Sequence, residues 1–137
     1  MNWTLVVSVL VLAGCAPDTI EGLKNDPGTT TEFDVPTAPR QVVANEVEMF
    51  GKCMQYGWND FNRTNARPSF DAATGVYRVA LTMHGDTEYW GLVEITPAHG
   101  GGSHVRTYTP HFPDNRNFGR WAKSAALGVQ PCSGSLF

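Results

Sequence analysis

The sequence predicts an α+β domain: an N-terminal helix, an antiparallel meander of three to four strands, and a C-terminal helix. Three observations carry this. Val43, Val47, Phe50 and Met54 recur at i, i+4, i+7 and i+11, one face of a helix. Two segments, Val76–Met83 and Glu88–Thr96, alternate apolar and polar residues in the manner of half-buried strands. A second helical pattern, Phe118, Trp121, Ala122, Ala125 and Val129, follows Asp114 and Asn115, either of which suits an N-cap. The 14 glycines and 9 prolines favour turns over a helical bundle. A chain of 137 residues is one domain at most.

Ahead of this domain, residues 3–13 form an apolar run of 11. That is too short to span a bilayer and suits the h-region of a signal peptide. The run ends in Leu12-Ala13-Gly14-Cys15, where small residues are followed at once by cysteine. Met1-Asn2 supplies no Lys or Arg, so only the terminal amine charges the n-region. The stretch resembles the lipobox of bacterial lipoproteins. The resemblance covers residues 1–16 and implies attachment rather than activity: residues 1–14 are removed, and Cys15 becomes the acylated first residue, carrying palmitate-type chains. In that class the residue after the cysteine influences sorting in Gram-negative cells. Ala16, in place of Asp, implies delivery to the outer membrane, with the domain on its periplasmic or surface face. Several acyl chains on one cysteine anchor firmly, since each buried CH₂ adds ~0.8 kcal/mol and a single chain is marginal.

Residues 15–39 read as the acylated N-terminus and a disordered tether. They hold Pro17, Pro27, Gly28, Pro36 and Pro39, show no apolar period, and carry five acidic groups against Lys24. With Cys15 assigned to lipid, an exported chain leaves Cys53 and Cys132 to pair. That bridge closes a loop of about 80 residues and contributes on the order of 4 kcal/mol in the loop-entropy model.

The domain proper is expected over residues 40–137. Its first helix runs over 40–57, with Pro39 at the first turn and Gly57 as the stop. Tyr56, Trp58 and Phe61 cluster at its exit as core packing. Phe70 to Tyr77 reads as a hairpin loop in which Gly75 takes a left-handed conformation. Tyr77, Val79, Leu81 and Met83 share one strand face. His84-Gly85-Asp86-Thr87 is a tight turn. In the next strand Tyr89, Gly91, Val93 and Ile95 take one face, and Trp90 and Leu92 the other. Pro97 to Gly102 is a loop, and His104 to Thr109 the last strand. The second helix ends at Gly128 and Pro131, just before Cys132. Both helices are expected on one face of the sheet, which leaves Trp90 and Leu92, with Ala80, as an exposed patch for a protein partner.

Candidates for chemistry are weak. Residues 40–137 carry nine basic and eight acidic groups, a near-neutral balance that argues against a nucleic-acid binder. His84, His99, His104 and His111 lie 15, 5 and 7 residues apart, with no H-x₃-H pair and no carboxylate or thiolate at ligand spacing. Ser103-His104 lacks a nucleophile elbow. Glu88 and Glu94, about 20 Å apart along a strand, are too distant for paired acid catalysis. Gly100-Gly101-Gly102 lacks the Lys-Ser/Thr and helix of a P-loop. Arg116, Arg120 and Lys123 form a solvated stripe. No enzyme and no cofactor are expected. As a whole the chain resembles small uncharacterised envelope lipoproteins with a Cys in the first helix, a Gly-rich strand region and a late Trp…Cys. The leading expectation is a non-catalytic envelope component contacting another envelope or surface protein. The alternative is a periplasmic small-molecule or metal-binding module, which needs the histidines to converge.

Overall fold

Alternation over Val76–Met83 (β3) and Glu88–Pro97 (β4) builds the two central strands of a five-stranded antiparallel sheet. The computed structural model describes residues 16–53, 64–111 and 117–129. Within them the order is α1 (Ile20–Asn25), β1 (Thr29–Val35), α2 (Pro39–Cys53), β2 (Asn65–Asp71), β3, β4, β5 (Ser103–Thr109) and α3 (Phe118–Ala126). β2 to β5 form a meander, and β1 pairs with β5, which gives the spatial order β1-β5-β4-β3-β2. Gly75, at φ 72°, closes the β2–β3 hairpin, where the Ala73 amide donates to Asp71. The β4–β5 connection is a single 3₁₀ turn, His99–Gly101.

Two helices cover one face. The buried residues of α2 are Val42, Glu46, Met49 and Phe50, an i, i+4, i+7, i+8 stripe. α3 buries Phe118, Trp121, Ala122, Ala125 and Ala126. Both pack on Val79, Leu81, Val93, Ile95 and Val105. Phe50 stacks on Phe118 at 5.5 Å. Phe118 lies so close over β4 that a Cβ on Gly91 would sit 2.4 Å from its ring. At the other end, Arg40 lies beside Tyr77 and Lys123 lies 6.0 Å from the Phe33 ring. Tyr77 and Phe33 belong to one cross-strand row, so α2 and α3 run antiparallel. One turn back from Phe50 and one turn on from Phe118, Glu46 lies level with Trp121 and Ala122.

The expected tether over 15–39 is corrected: residues 20–35 are a helix and an edge strand. The signal is non-local. In β1, Phe33 and Val35 turn to the helix side while Glu32 and Asp34 meet Arg106 and His104 across the sheet, 74 and 70 residues away. Local periodicity sees only a Pro-flanked acidic stretch. α1 is held by Thr19, whose hydroxyl caps it by accepting from the Gly22 amide at 2.9 Å, and by Leu23, which is fully buried. The strand count is therefore five rather than three or four, and a third helix lies on the second face.

The first long helix ends among the described residues at Cys53, and Tyr56, Gly57, Trp58 and Phe61 lie outside them. So do Asp114, Asn115, Arg116, Pro131 and the lipobox residues. α3 ends at Ala126, and just beyond it Gly128 takes φ 79°, with the Val129 amide donating to the Ser124 carbonyl. Cys53 is disulfide-bonded. The expected pair with Cys132 is not placed among the described residues, because Cys15 and Cys132, the other two cysteines, both fall outside them.

Candidate functional site

The second face of the sheet is divided in two. At one end α1 covers it: Leu23 and Ile20 pack on Ala80, Leu92, Tyr108 and Tyr89. At the other end the face is open and charged.

Here the expected Trp90/Leu92 contact surface is corrected. Leu92 is 0% exposed, beneath α1. Trp90 packs from the opposite side, against the cluster beneath α2 and α3, with its indole Nε1 donating to Glu88 at 3.1 Å. The cause is a β-bulge. Leu81 pairs with Gly91 but Thr82 pairs with Tyr89, so Trp90 is the inserted residue of the bulge. A bulge reverses the alternation that follows it. It sends Tyr89, instead of Trp90, to the α1 side. The turn that precedes it is equally irregular, with His84, Gly85 and Asp86 all left-handed at φ 54°, 66° and 66°.

The open half is a charge ladder built one rung per strand. Glu32 of β1 is opposite Arg106 of β5, Arg106 opposite Glu94 of β4, and Glu94 opposite Arg78 of β3. Acid and base alternate along the row, so each charge has an opposite one beside it. Arg106 donates to Glu32 at 2.8 Å, and Arg78 donates to Glu94 at 2.8 Å. Lys24 reaches from α1 to both oxygens of Glu94, at 3.0 and 3.1 Å. α1 is thereby pinned by a buried leucine and by the ladder. Burial of Glu94 opposes its ionisation, but the hydrogen bonds from Lys24 and Arg78 outweigh it and hold the carboxyl below its usual range. Arg106, and then His104, do the same for Glu32.

His104 stands in the next row, between two carboxylates. Its Nδ1 is 2.7 Å from Asp34 and its Nε2 is 2.6 Å from Glu32. Carboxylates only accept, so both contacts are satisfied only when both ring nitrogens carry protons. Asp34, and then Glu32, raise the pKa of His104 above its ordinary value. A shallow depression of about 200 Å³ lies beside it, lined by Val76, Glu94, Thr96, His104 and Arg106. The arrangement is a self-neutralised polar surface that cross-links β1, β5, β4, β3 and α1.

The remaining candidate residues lie apart. Ser103 is buried and donates to the Thr37 carbonyl at 2.6 Å, on the face opposite His104. His84 pairs with Glu88 at 2.8 Å beside the β3–β4 turn. His99 is in the β4–β5 connection, and His111, just past the far end of β5, meets Asp26 at 3.0 Å. The histidines do not converge, and among the described residues no three His, Cys, Asp or Glu side chains form a metal-holding group. Arg120 and Lys123 are exposed on α3.

Sequence reasoning missed the ladder because it took Glu32 and Asp34 for tether charges. The available signal was parity: Arg78, Glu94, His104 and Arg106 all occupy the polar positions of alternating strands, and Glu32 and Asp34 have the same spacing. Compared with known protein families, curated proteins and solved structures, the chain matches none of them.

Proposed function

We propose that the protein is a lipid-anchored component of a bacterial cell envelope, attached through acylated Cys15 and directed to the outer membrane. The observation that carries the reading is Leu12-Ala13-Gly14-Cys15 at the end of an 11-residue apolar run. The domain behind it contributes a rigid, non-catalytic surface that contacts another envelope or surface protein. The charge ladder supports that part of the reading. Its carboxylates are already neutralised, which suits polar docking better than capture of a free ion.

The cysteines give the reading a sharp test. Cys53 is in a disulfide, and the chain has only Cys15 and Cys132 to offer as intramolecular partners. An acylated Cys15 requires Cys53–Cys132. Peptide mapping of membrane-extracted protein without reduction, with metabolic palmitate labelling of wild type and Cys15→Ser, checks both at once. The expected result is an acylated peptide beginning at Cys15, no label in the variant, and a 53–132 linked pair. A Cys15–Cys53 link, or label retained by Cys15→Ser, overturns the anchor.

A further inference from the structure

We infer that the anchor holds the domain flush against the bilayer, with the β3–β4 turn in the headgroup layer and the opposite hairpins facing away. The inference rests on the proposed acylation of Cys15. Its structural ground is how soon after Cys15 the fold begins. The Pro17 carbonyl accepts from the Tyr89 amide at 2.9 Å, at the start of β4. Two residues farther on, Thr19 caps α1, and Leu23 is fully buried. Only Ala16 separates the anchoring residue from this fixed point. Two residues of fully extended chain reach roughly 7 Å, so no leash remains.

Tyr89 is two residues from Thr87, the last residue of the exposed turn Gly85, Asp86 and Thr87. An anchor within that reach of Tyr89 brings the turn to the membrane surface. Its chemistry selects the depth. Asp86 is paired with Arg67 at 2.6 Å, His84 with Glu88 at 2.8 Å, and the Thr87 hydroxyl donates to the His84 carbonyl at 2.8 Å. Polar groups of this kind suit the hydrated headgroups and are costly in hydrocarbon. The eight residues of β3 span roughly 26 Å. The β2–β3 hairpin and the 3₁₀ turn at His99–Gly101 lie at that far end. The open charge ladder then rises from the membrane instead of lying on it.

The test uses the mature acylated protein reconstituted in vesicles of phosphatidylethanolamine and phosphatidylglycerol. A photoreactive benzoylphenylalanine replaces Thr87 in one sample and Ala73, exposed in the β2–β3 turn, in another. Illumination is expected to give several-fold more phospholipid adduct at position 87 than at 73. A flexible Gly-Ser spacer of roughly 20 residues, inserted between Ala16 and Pro17, is expected to lower the adduct at 87 to the level at 73, with thermal unfolding unchanged. Equal adduct at the two positions on protein whose Cys15 acyl mass is verified overturns the placement alone. Adduct at 87 that survives the spacer overturns the short anchor as its cause. Absence of the acyl mass overturns the anchor reading and this placement with it.

Discussion

Glu46 is the residue most at odds with its surroundings. It is fully buried on the core side of α2, and neither carboxyl oxygen has a hydrogen-bond partner among the described residues. The same is true of the Trp121 indole Nε1, level with it on α3. Burial pushes the Glu46 carboxyl well above its ordinary 4.5, so it holds its proton in the native state at pH values where the unfolded chain releases it. The native state then binds the extra proton, and stability declines as pH rises above 4.5 toward the native value, by up to about 1.4 kcal/mol per pH unit. Glu46→Gln is expected to remove that slope, and Glu46→Met to raise stability at neutral pH; urea unfolding at pH 5 and pH 8 measures both. A slope unchanged in Glu46→Gln would assign it to another group. His104 works in the same direction. Its raised pKa means that its contribution is complete below 6.5 and is lost as pH passes through the native value. The bridge is exposed, and surface pairs contribute ~0–1 kcal/mol. The sharper readout is therefore NMR: a ring pKa above 6.5 in wild type that falls in Asp34→Asn, the larger cause. An unchanged value in that variant would refute the bridging role.

At the scale of elements, α1 is short and depends on few groups. Leu23→Ala is expected to cost about 2–5 kcal/mol if α1 unfolds with the domain. If α1 detaches alone, hydrogen exchange will show lost protection confined to residues 17–25 and an open Leu92 face. Gly91 is the complementary case. Gly91→Ala brings a Cβ to 2.4 Å from the Phe118 ring, so it should destabilise by about 1–3 kcal/mol, with partial rescue by Phe118→Leu. Full stability in Gly91→Ala would mean that α3 is less closely docked than its contacts indicate. These elements also show what the sequence disclosed. The central strands, the β2–β3 hairpin with Gly75 and the presence of both long helices were legible, because their apolar periods are local; the helix faces were only roughly so, since α2 buries Val42, Glu46 and Met49 beside Phe50 while Val43 and Val47 are partly buried, and Val129 is exposed beyond α3. β1 and α1 were not. Their partners are some 70 residues away, and a strand whose polar side is Glu32 and Asp34 looks like solvated chain until Arg106 and His104 are set opposite. The faces of β4 were misread at one point only, where Trp90 bulges and the alternation slips.

Across the whole molecule, two sets of groups bound the pH range of stability. Glu32, Asp71, Asp86 and Glu94 are all held below their ordinary values, so their contribution is present above about 4.5 and is lost in acid. Glu46 and His104 lose theirs on the alkaline side. A stability maximum on the acid side of neutrality is expected, and a thermal-unfolding series from pH 4 to pH 9 would locate it; a maximum above pH 8 would contradict this balance. The pairing of β1 with β5 has a different kind of consequence, one of timing. Glu32 meets Arg106 across 74 residues of chain, and the Thr109 hydroxyl donates to the Thr29 carbonyl across 80. Contacts that distant form only after a large loop-closure entropy is overcome, and they slow folding. β1 is the first of the described strands, yet among them it pairs only with the last, β5. Until that last strand arrives, β4 has an unpaired edge, Glu32 and Asp34 lack their cations, and nothing on β5 helps to support α1. The sheet is thus assembled from its far edge inward, and β1, though first in the sequence, is the last strand to be locked in place.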